Sequence, residues 1–363
     1  MAQSCDRITA GLRKRGVRID IGHFTVGTQI IRVSKTGTET LFSVGTGNDP
    51  SHAIHLLWNH LKLARERGNE APTHIVAFGG TIPFIAGPIF ARWLGVPLIT
   101  MMRGNDFDTA IFSPTRRPML EQALTFADRV CVVSRDHETK IHAWLPHVLI
   151  ERVANGIDAH EWQLLASERA AAASWRAGEV VGNRRVIGLF GHLKAKKGVL
   201  FFLETLANSG FSDKFHVLMV GEAAPELAEH LNGSFRSLSL TRLPFMDRYN
   251  ILPWFAACDL VGIPSFYDGM PNVLLEAGSL GIPCLAARAG GIPDVIEQEG
   301  DPLLFHPGDP HGLREALWNA SQISTERLSV IGKVLQERIA TSFTADREAD
   351  SYFRIFQAFK TKP

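Results

Sequence analysis

Residues 260–277 read LVGIPSFYDGMPNVLLEA and contain, in order, a short strand, a loop and the start of a helix. The first five residues are small or aliphatic and end at a proline, which is typical of a buried parallel strand. The turn Gly269-Met270-Pro271-Asn272 leads into helix-patterned residues, with Asn272 near the helix start and Gly281 suited to its end. This order predicts one unit of a parallel α/β sheet.

The same alternation of short apolar runs and longer helix-patterned segments continues in both directions. Repeated strand–helix alternation favours parallel sheets with helices on both faces. Ligands bind such sheets beyond the carboxyl ends of the strands, so the residues after each strand are the candidates for chemistry. The patterns predict strands at residues 17–24, 40–44, 74–78, 97–101, 129–133, 150–154, 185–190, 216–220, 260–264 and 283–287.

The chain has 363 residues, a length that suits two domains rather than one core. A polar, alanine-rich stretch at residues 159–183 interrupts the strand pattern, so we predict domains at 1–162 and 163–342 and a closing helix at 343–363. The net charge of +1 gives no support to nucleic-acid binding. The sequence has no apolar run of membrane-spanning length, no secretory leader pattern and no CxxC spacing, which predicts a cytoplasmic protein in a reducing compartment.

Three segments that follow strands in the second half are rich in glycine or charge. Residues 191–198, GHLKAKKG, place Lys197 before a helix, where backbone N–H groups and the helix dipole favour an anion; a solvated basic loop is the alternative. Asp268 and Glu276 are eight residues apart and can flank one ligand and accept hydrogen bonds from its hydroxyls, although each also fits an ordinary surface acid. The paired glycines within residues 289–294 let backbone approach a ligand or simply form a turn.

Together these segments resemble the retaining glycosyltransferases of family 4, the group 1 glycosyltransferases, which have the GT-B fold. The core of the resemblance is the acid-x7-acid pair Asp268 and Glu276, accompanied by the Gly-x5-Lys-Gly loop, Asn-Gly-Ile-Asp at 155–158 and Gly-Gly-Ile-Pro-Asp at 290–294. The resemblance implies two Rossmann-like, doubly wound parallel-sheet domains that face each other across a cleft. It also implies transfer of a sugar from a nucleotide-diphosphate sugar to a glycan or glycolipid acceptor with retention of configuration, as in polysaccharide or lipopolysaccharide biosynthesis.

The resemblance further implies a role for each matching residue. Lys197 would hold the donor diphosphate, Glu276 the nucleotide ribose and Asp268 the hydroxyls of the donor sugar, and these three are the predicted catalytic residues. His192 stands where the family usually has an arginine, and a neutral imidazole cannot form the bidentate phosphate contact of a guanidinium. The other predicted contacts are Gly269, Met270, Pro271, Asn272, Val273 and Leu274 on the donor side, and Arg103 and Asp106 on the acceptor side.

The resemblance implies no bound metal, because the positive loop and the helix N-termini would stabilise the leaving diphosphate instead. The expected donor is a UDP- or GDP-sugar, the expected acceptor is a glycan or a lipid-linked glycan, and no nucleic-acid partner is expected. The opening segment carries Arg7, Arg13, Lys14, Arg15 and Arg18. It predicts a basic helix that fits either the anionic inner face of a membrane or a solvated surface.

Members of the family usually begin with a strand, a glycine-rich loop and a helix, whereas residues 2–15 here already have a helical pattern. We therefore expect the first strand of the N-terminal domain to be missing. Three explanations stay open: a true start upstream of Met1, a reduced first domain, or an inactive protein. The alternative to an enzyme is thus a degenerate, non-catalytic GT-B protein that binds a glycan, a nucleotide or an active partner subunit.

Overall fold

The structure is a computed structural model that describes residues 2–28, 30–66, 72–104, 106–233, 235, 237–296 and 301–359. The chain divides into two compact units. Unit 1 comprises Met1–Ala154 and Ala345–Pro363, and unit 2 comprises Asn155–Thr344. The chain therefore passes between the units at Ala154 and Thr344, whereas the sequence pattern placed these boundaries after residues 162 and 342.

Unit 1 contains two sheets with helices packed against them. Its elements are α1 (Ala2–Lys14), β1 (Ile21–Thr25), β2 (Ile31–Thr36), β3 (Glu39–Gly45), α2 (Pro50–Glu66), β4 (Ile75–Phe78), α3 (Thr81–Leu94), β5 (Leu98–Met102), α4 (Asp106–Ala110), α5 (Arg117–Thr125), β6 (Arg129–Val132), α6 (Arg135–Trp144), β7 (Ile150–Arg152) and α15 (Ala345–Ala358). The strand orders are β1-β3-β2 in one sheet and β4-β5-β6-β7 in the other. The second sheet is parallel throughout, as predicted.

Two features of unit 1 concern its first strands. The first described element is α1, which begins at Ala2, and the expected absence of a strand before it stays a prediction. Strand β2 runs antiparallel to β3 after a turn with Gly37 at φ 61°. The sequence pattern missed β2 because five of its six residues are exposed, which leaves no apolar alternation to detect.

The last helix, α15, belongs to unit 1 although it follows unit 2 in the chain. Tyr352 and Phe356 of α15 share a buried cluster with Ile8 and Leu12 of α1. A Cβ atom at Gly11 would lie only 2.6 Å from the Cβ of Ala349, so α1 and α15 approach each other closely. The helix that opens the described chain is therefore covered by the helix that closes it.

Unit 2 contains one six-stranded sheet. Its elements are α7 (Ala166–Glu179), β8 (Arg185–Phe190), α8 (Val199–Ala207), β9 (Phe215–Val220), α9 (Pro225–Gly233), β10 (Leu240–Leu243), α10 (Arg248–Ala256), β11 (Leu260–Ile263), α11 (Asn272–Ser279), β12 (Cys284–Ala287), α12 (Ile292–Val295), β13 (Leu304–Phe305), α13 (Pro310–Gln322) and α14 (Thr325–Ser342). The strands are parallel and their order is β10-β9-β8-β11-β12-β13. The sequence pattern missed the short strands β10 and β13.

The strand order in unit 2 fixes where a ligand site can form. From β8 the chain moves outward to β9 and β10, returns to β11 beside β8, and then moves outward the other way. After β8 and after β11 the chain therefore continues toward opposite ends of the sheet. The carboxyl edge of the sheet between these two strands is the usual ligand position in a doubly wound sheet.

Candidate functional site

The loops that follow β8 and β11 contact each other at this edge of the sheet. Gly198 ends the loop after β8 with φ 66°, and a Cβ atom there would lie 1.9 Å from the carbonyl oxygen of Pro264. The backbone N–H of Phe266 donates to the carbonyl of Lys196 at 3.0 Å. Only glycine allows this approach, because any side chain would overlap the backbone at the end of β11.

The two loops also join through an ion pair. The ammonium group of Lys197 contacts the carboxylate of Asp268. Asp268 is 8% exposed, and its other carboxylate oxygen accepts the N–H of Gly269 at 3.0 Å. The structure therefore brings together two of the three predicted catalytic residues, which lie 71 positions apart in the chain.

The paired glycines after β12 pack against the loop that carries Asp268. Gly290 has φ 52°, and a Cβ atom there would lie 1.7 Å from the carbonyl oxygen of Asp268. The N–H of Gly291 donates to the carbonyl of Gly269. The glycine pair thus supports the backbone of the Asp268 loop.

Helix α11 starts at the end of this loop and carries the remaining predicted donor contacts. Asn272, Val273 and Glu276 are half-buried, and Glu276 lies in the second turn of the helix. Leu274 is fully buried. Its side chain packs in the core, and the predicted position of Leu274 near the ribose stays a prediction. The last three contacts, Gly269, Met270 and Pro271, are buried as well.

Asn155 belongs to the Asn-Gly-Ile-Asp segment of the resemblance, but the sequence analysis gave it no role at the site. It is 3% exposed, and its side-chain amide donates to the carbonyl of Met270 at 2.7 Å. The Asn-Gly-Ile-Asp segment therefore fixes the backbone just before α11. The available signal was the position of Asn155 three residues after the end of β7, but an Asn-Gly pair is so common in turns that it indicated no role for Asn155.

His192 lies in the loop after β8 and is turned toward β10. Its imidazole stacks on the ring of Phe245, with centroids 5.8 Å apart and an interplanar angle of 15°. Its Nδ1 atom is 3.3 Å from the carboxylate of Glu222, and the side chains of His192 and Glu222 are 60% and 74% exposed. The sequence identified His192 as a donor contact but gave no sign of either neighbour.

The two predicted acceptor-side residues lie in unit 1, after β5. The side chain of Arg103 is 2% exposed and donates to Glu348 at 2.8 Å and to Tyr352 at 2.7 Å. Burial acts to lower the pKa of Arg103, but the neighbouring Tyr352 and Glu348 outweigh it and raise the pKa; burial also raises the pKa of Tyr352. The guanidinium of Arg103 is thus part of the interior of unit 1, and its predicted role on the acceptor side stays a prediction. Asp106 begins α4, is half-buried and accepts the N–H of Gly80 at 3.1 Å.

The basic residues at the start of the chain are largely engaged within unit 1. Each arginine there contacts a carboxylate; the pairs are Arg7–Glu348, Arg13–Glu39, Arg15–Asp350 and Arg18–Asp20. The apolar side of α1 is covered by α15. Nowhere in the described ranges is a helix long and apolar enough to cross a membrane.

One group of side chains in the described residues has the spacing of a cation site. Asp108, Asp136 and His137 each offer an atom within 4.8 Å of the others. The ammonium of Lys140, however, lies 2.9 Å from Asp108 and 2.7 Å from Asp136. Burial acts to raise the pKa of Asp108, but its hydrogen bonds with His137 and Lys140 outweigh burial and lower it. A protein cation thus already balances this cluster.

The arrangement in unit 2 suits a ligand with an anionic part and a hydroxyl-rich part. Lys197 and the N–H groups at the start of α8 and α11 can stabilise phosphate oxygens. The carboxylates of Asp268 and Glu276 can accept hydrogen bonds from hydroxyls. Because several of these groups belong to backbone fixed by close contacts, the site is organised before a ligand arrives.

Comparison with known proteins covers both units. The family described as "Glycosyltransferase Family 4" matches residues 1–161, and the family described as "Glycosyl transferases group 1" matches residues 184–322. The chain is 23% identical over 312 residues to the UDP-Gal:α-D-GlcNAc-diphosphoundecaprenol α-1,3-galactosyltransferase of Escherichia coli, covering 79% of this chain and 75% of that protein. It is 26% identical over 271 residues to the α-D-kanosaminyltransferase of Streptomyces kanamyceticus, covering 69% and 68%.

Solved structures share the fold. HepE of Anabaena in complex with UDP and glucose superposes with a TM-score of 0.71 at 21% identity, covering 88% of this chain and 86% of that one. Sucrose-phosphate synthase of Thermosynechococcus elongatus has a TM-score of 0.77 at 17% identity, covering 98% and 92%. The family matches, the shared fold and the contact between Lys197 and Asp268 lead to one assignment: the chain belongs to the group 1 glycosyltransferases of family 4, and it has the GT-B fold.

Proposed function

We propose that this chain transfers a sugar from a nucleotide-diphosphate sugar to a hydroxyl of a glycan or lipid-linked acceptor, with retention at the anomeric carbon. The observation that carries the proposal is the convergence of Lys197, Asp268 and the start of α11 at the strand-order switch of unit 2. In the reaction the bond from the anomeric carbon to the diphosphate oxygen breaks. The acceptor oxygen bonds to the same carbon on the same face, and its proton passes to the leaving diphosphate oxygen.

Each residue has a separate task in this proposal. Lys197 and the N–H groups at the start of α11 stabilise the negative charge that develops on the diphosphate. Asp268 orients the sugar hydroxyls, and Glu276 accepts hydrogen bonds from the ribose. Since Lys197 contacts Asp268 in the structure, the donor must share the ammonium between its phosphates and this carboxylate. No metal is required in this scheme.

The names of the relatives suggest the first donor and acceptor to test. The galactosyltransferase from Escherichia coli is named for UDP-galactose and a diphosphoundecaprenol acceptor, and HepE was solved with UDP. We therefore propose a UDP-sugar as donor before a GDP-sugar, and a lipid-linked glycan as acceptor before a free one.

The test is calorimetric titration of the chain with UDP, GDP and ADP and their sugars, without added metal. We expect saturable binding of one nucleotide, weakened about 10- to 100-fold by Lys197→Ala and by Glu276→Ala, since each change removes a charge-assisted hydrogen bond. Lys333→Ala and Glu315→Ala make the same chemical changes at exposed positions on α14 and α13 and should leave affinity unchanged. Wild-type affinity in both site variants, with unfolding temperatures unaltered, would remove the site assignment.

A non-catalytic, ligand-binding protein is the second candidate. The observations that favour it are the histidine in place of arginine at position 192 and the two separate sheets of unit 1. Nucleotide release from the bound UDP-sugar separates the two functions. Saturable binding without any release, with water or with lipid-linked glycans as acceptors, favours the non-catalytic candidate; release that depends on an acceptor favours the enzyme.

A further inference from the structure

The amino edge of the sheet in unit 2 has an open cavity of about 370 Å³. It is lined by residues 181–185, which lead into β8, by Asp213 and Lys214 before β9, and by Ser321 near the end of α13. Strand β8 has six residues, so its two ends lie about 17 Å apart. The cavity is therefore at the opposite edge from the Lys197 loop, and its volume suits a small molecule.

Cations outnumber acids in the lining of this cavity. Arg184, Arg185 and Lys214 are half-buried, and the single acid among the lining residues, Asp213, is exposed. Three cations and one acid leave the lining with a net charge of +2. Within the described ranges no carboxylate forms an ion pair with any of the three cations. The nearest acid that precedes them in the chain is Glu179 at the end of α7, and it does not line the cavity.

The two guanidiniums are held in place and still have N–H groups to offer. Nε of Arg184 donates to the carbonyl of Asp213 at 3.0 Å, and Nη2 of Arg185 donates to the carbonyl of Ile323, the residue that ends α13. A guanidinium has five N–H donors, so these bonds to the backbone leave most of them for a ligand. Capping of α13 thus explains one bond of Arg185 but not the lining as a whole.

The third cation comes from a different segment, the short helical turn before β9. The ammonium of Lys214 lies 4.7 Å from the ring centroid of Trp318 on α13. That ring packs edge-on against Phe211, which is buried, with centroids 5.4 Å apart. A cation–π contact of this kind holds the ammonium over the ring. Three cations from two segments are therefore placed around one cavity before a ligand arrives.

We propose that Arg184, Arg185 and Lys214 form a binding site for a small molecule that carries a phosphate or diphosphate group. Planar guanidiniums match pairs of phosphate oxygens, and an ammonium adds a compact charge. The volume of the cavity leaves room for an organic group next to the phosphate. This site is separate from the candidate donor site, and it does not depend on the proposed function.

The experiment is calorimetric titration of the full chain with inorganic pyrophosphate. It is done in a Lys197→Ala chain, because this change weakens anion binding at the carboxyl edge of the sheet. We expect saturable binding, weakened about tenfold when Arg184→Gln or Lys214→Gln is added, since each removes a charge-assisted contact. Adding Arg184→Lys should weaken binding less than Arg184→Gln, because it keeps the charge and loses only the planar geometry.

The matched controls are Arg314→Gln on α13 and Lys333→Gln on α14, added to the same Lys197→Ala chain. Both residues are exposed and lie outside the lining of the cavity, so neither change should alter the affinity for pyrophosphate. Equal weakening by the controls and by Arg184→Gln would indicate an adventitious ion only.

Several other outcomes would overturn the inference. It fails if the Lys197→Ala chain does not bind pyrophosphate, if UDP displaces the pyrophosphate, or if Arg184→Gln binds it fully. If Arg184→Gln lowers the unfolding temperature, Lys214→Gln decides, because the ammonium of Lys214 forms no hydrogen bond with the described residues. Sedimentation with phosphatidylglycerol vesicles that Arg184→Gln abolishes would assign the phosphate to a lipid instead.

Titration of the wild type with UDP keeps this site and the proposed function apart. Absent UDP binding, with pyrophosphate still bound by the Lys197→Ala chain, rejects the proposed function alone. UDP binding by the wild type, with no pyrophosphate bound by the Lys197→Ala chain, rejects the cavity site alone.

Discussion

The carboxyl edges of the two parallel sheets are held in different ways. In unit 2, glycines let the loops after β8, β11 and β12 touch through their backbones, as Gly198 and Gly290 show. In unit 1, the loop after β5 is fixed by the side chain of Arg103, which reaches Glu348 on a helix 245 positions later. One edge therefore depends on short motifs and the other on long-range charge pairing. The difference explains why short sequence motifs indicate the contacts at the first edge but not those at the second.

The largest effect is expected where backbone meets backbone in unit 2. Gly290→Ala places a Cβ atom 1.7 Å from the carbonyl oxygen of Asp268, at a φ of 52° that L side chains rarely adopt. We expect a loss of more than about 3 kcal/mol in the free energy of unfolding, measured by urea denaturation, and loss of nucleotide binding. The matched control is Gly178→Ala in α7, where nothing lies within 4 Å, and it should stabilise by about 0.5–1 kcal/mol. Equal stability of the two variants would contradict the backbone-contact account.

The corresponding change in unit 1 removes the acid at the centre of its charge network. Glu348 is 3% exposed and contacts Arg7 at 2.6 Å and Arg103 at 2.8 Å. Glu348→Ala leaves both guanidiniums without this partner and should cost about 3–5 kcal/mol of unfolding free energy. Asp350 lies on the same helix as Glu348 and forms an exposed ion pair with Arg15. Asp350→Ala removes this pair and should cost less than about 1 kcal/mol of unfolding free energy. If the two variants lose the same amount, the edge of unit 1 does not depend on the network.

The candidate site in unit 2 could be predicted because its chemistry and its geometry lie in the same short segments. The glycines at 198 and 290 mark the close approaches, Lys197 lies two residues before α8, and Asp268 lies four residues before α11. A parallel sheet brings such ends to one edge, so their pairing follows from topology. The burial of Leu274 could not be predicted, because sequence spacing gives a position on α11 but not which side of the helix the core covers.

The edge of unit 1 could not be predicted in the same way. Arg103 follows a strand, as a ligand-binding residue would, and nothing near it in the sequence indicates that Glu348 and Tyr352 will bury its charge. The strand β2 was missed for a related reason, since its exposed residues carry no periodic apolar signal. Contacts between distant segments and exposed edge strands leave little trace in local patterns.

A smaller effect is expected for a side chain that stabilises the carboxyl edge of the sheet in unit 2, next to the backbone contacts there. Asn155→Asp keeps the size of the side chain but removes the N–H that donates to the carbonyl of Met270 at 2.7 Å. We expect a loss of about 1–2 kcal/mol in unfolding free energy and about tenfold weaker nucleotide binding, since α11 begins next to that carbonyl. Denaturation and titration with UDP measure the two effects. Weaker binding without any change in stability would show that Asn155 contacts the ligand itself.

The smallest effect concerns how unit 2 responds to pH. His216 on β9 is 3% exposed and bonds the hydroxyls of Ser239 at 2.8 Å and Thr241 at 3.0 Å. Burial, with smaller contributions from Arg184 and Arg176, lowers the pKa of His216 below the ordinary 6.5 of an imidazole. At a pH between the lowered pKa of folded His216 and 6.5, the unfolded chain binds more protons than the folded one. The contribution of His216 to the free energy of unfolding is therefore fully present above pH 6.5 and is lost as the pH falls through the lowered pKa.

His216→Gln keeps a group that can form hydrogen bonds but cannot take up this proton. The free energy of unfolding of the wild type should therefore fall more than that of the variant when the pH is lowered from above 6.5 toward acid. Urea denaturation of both proteins at each pH measures the difference, in which the contributions of the other histidines cancel. An equal fall in both proteins would mean that His216 is protonated as readily in the folded chain as in the unfolded one.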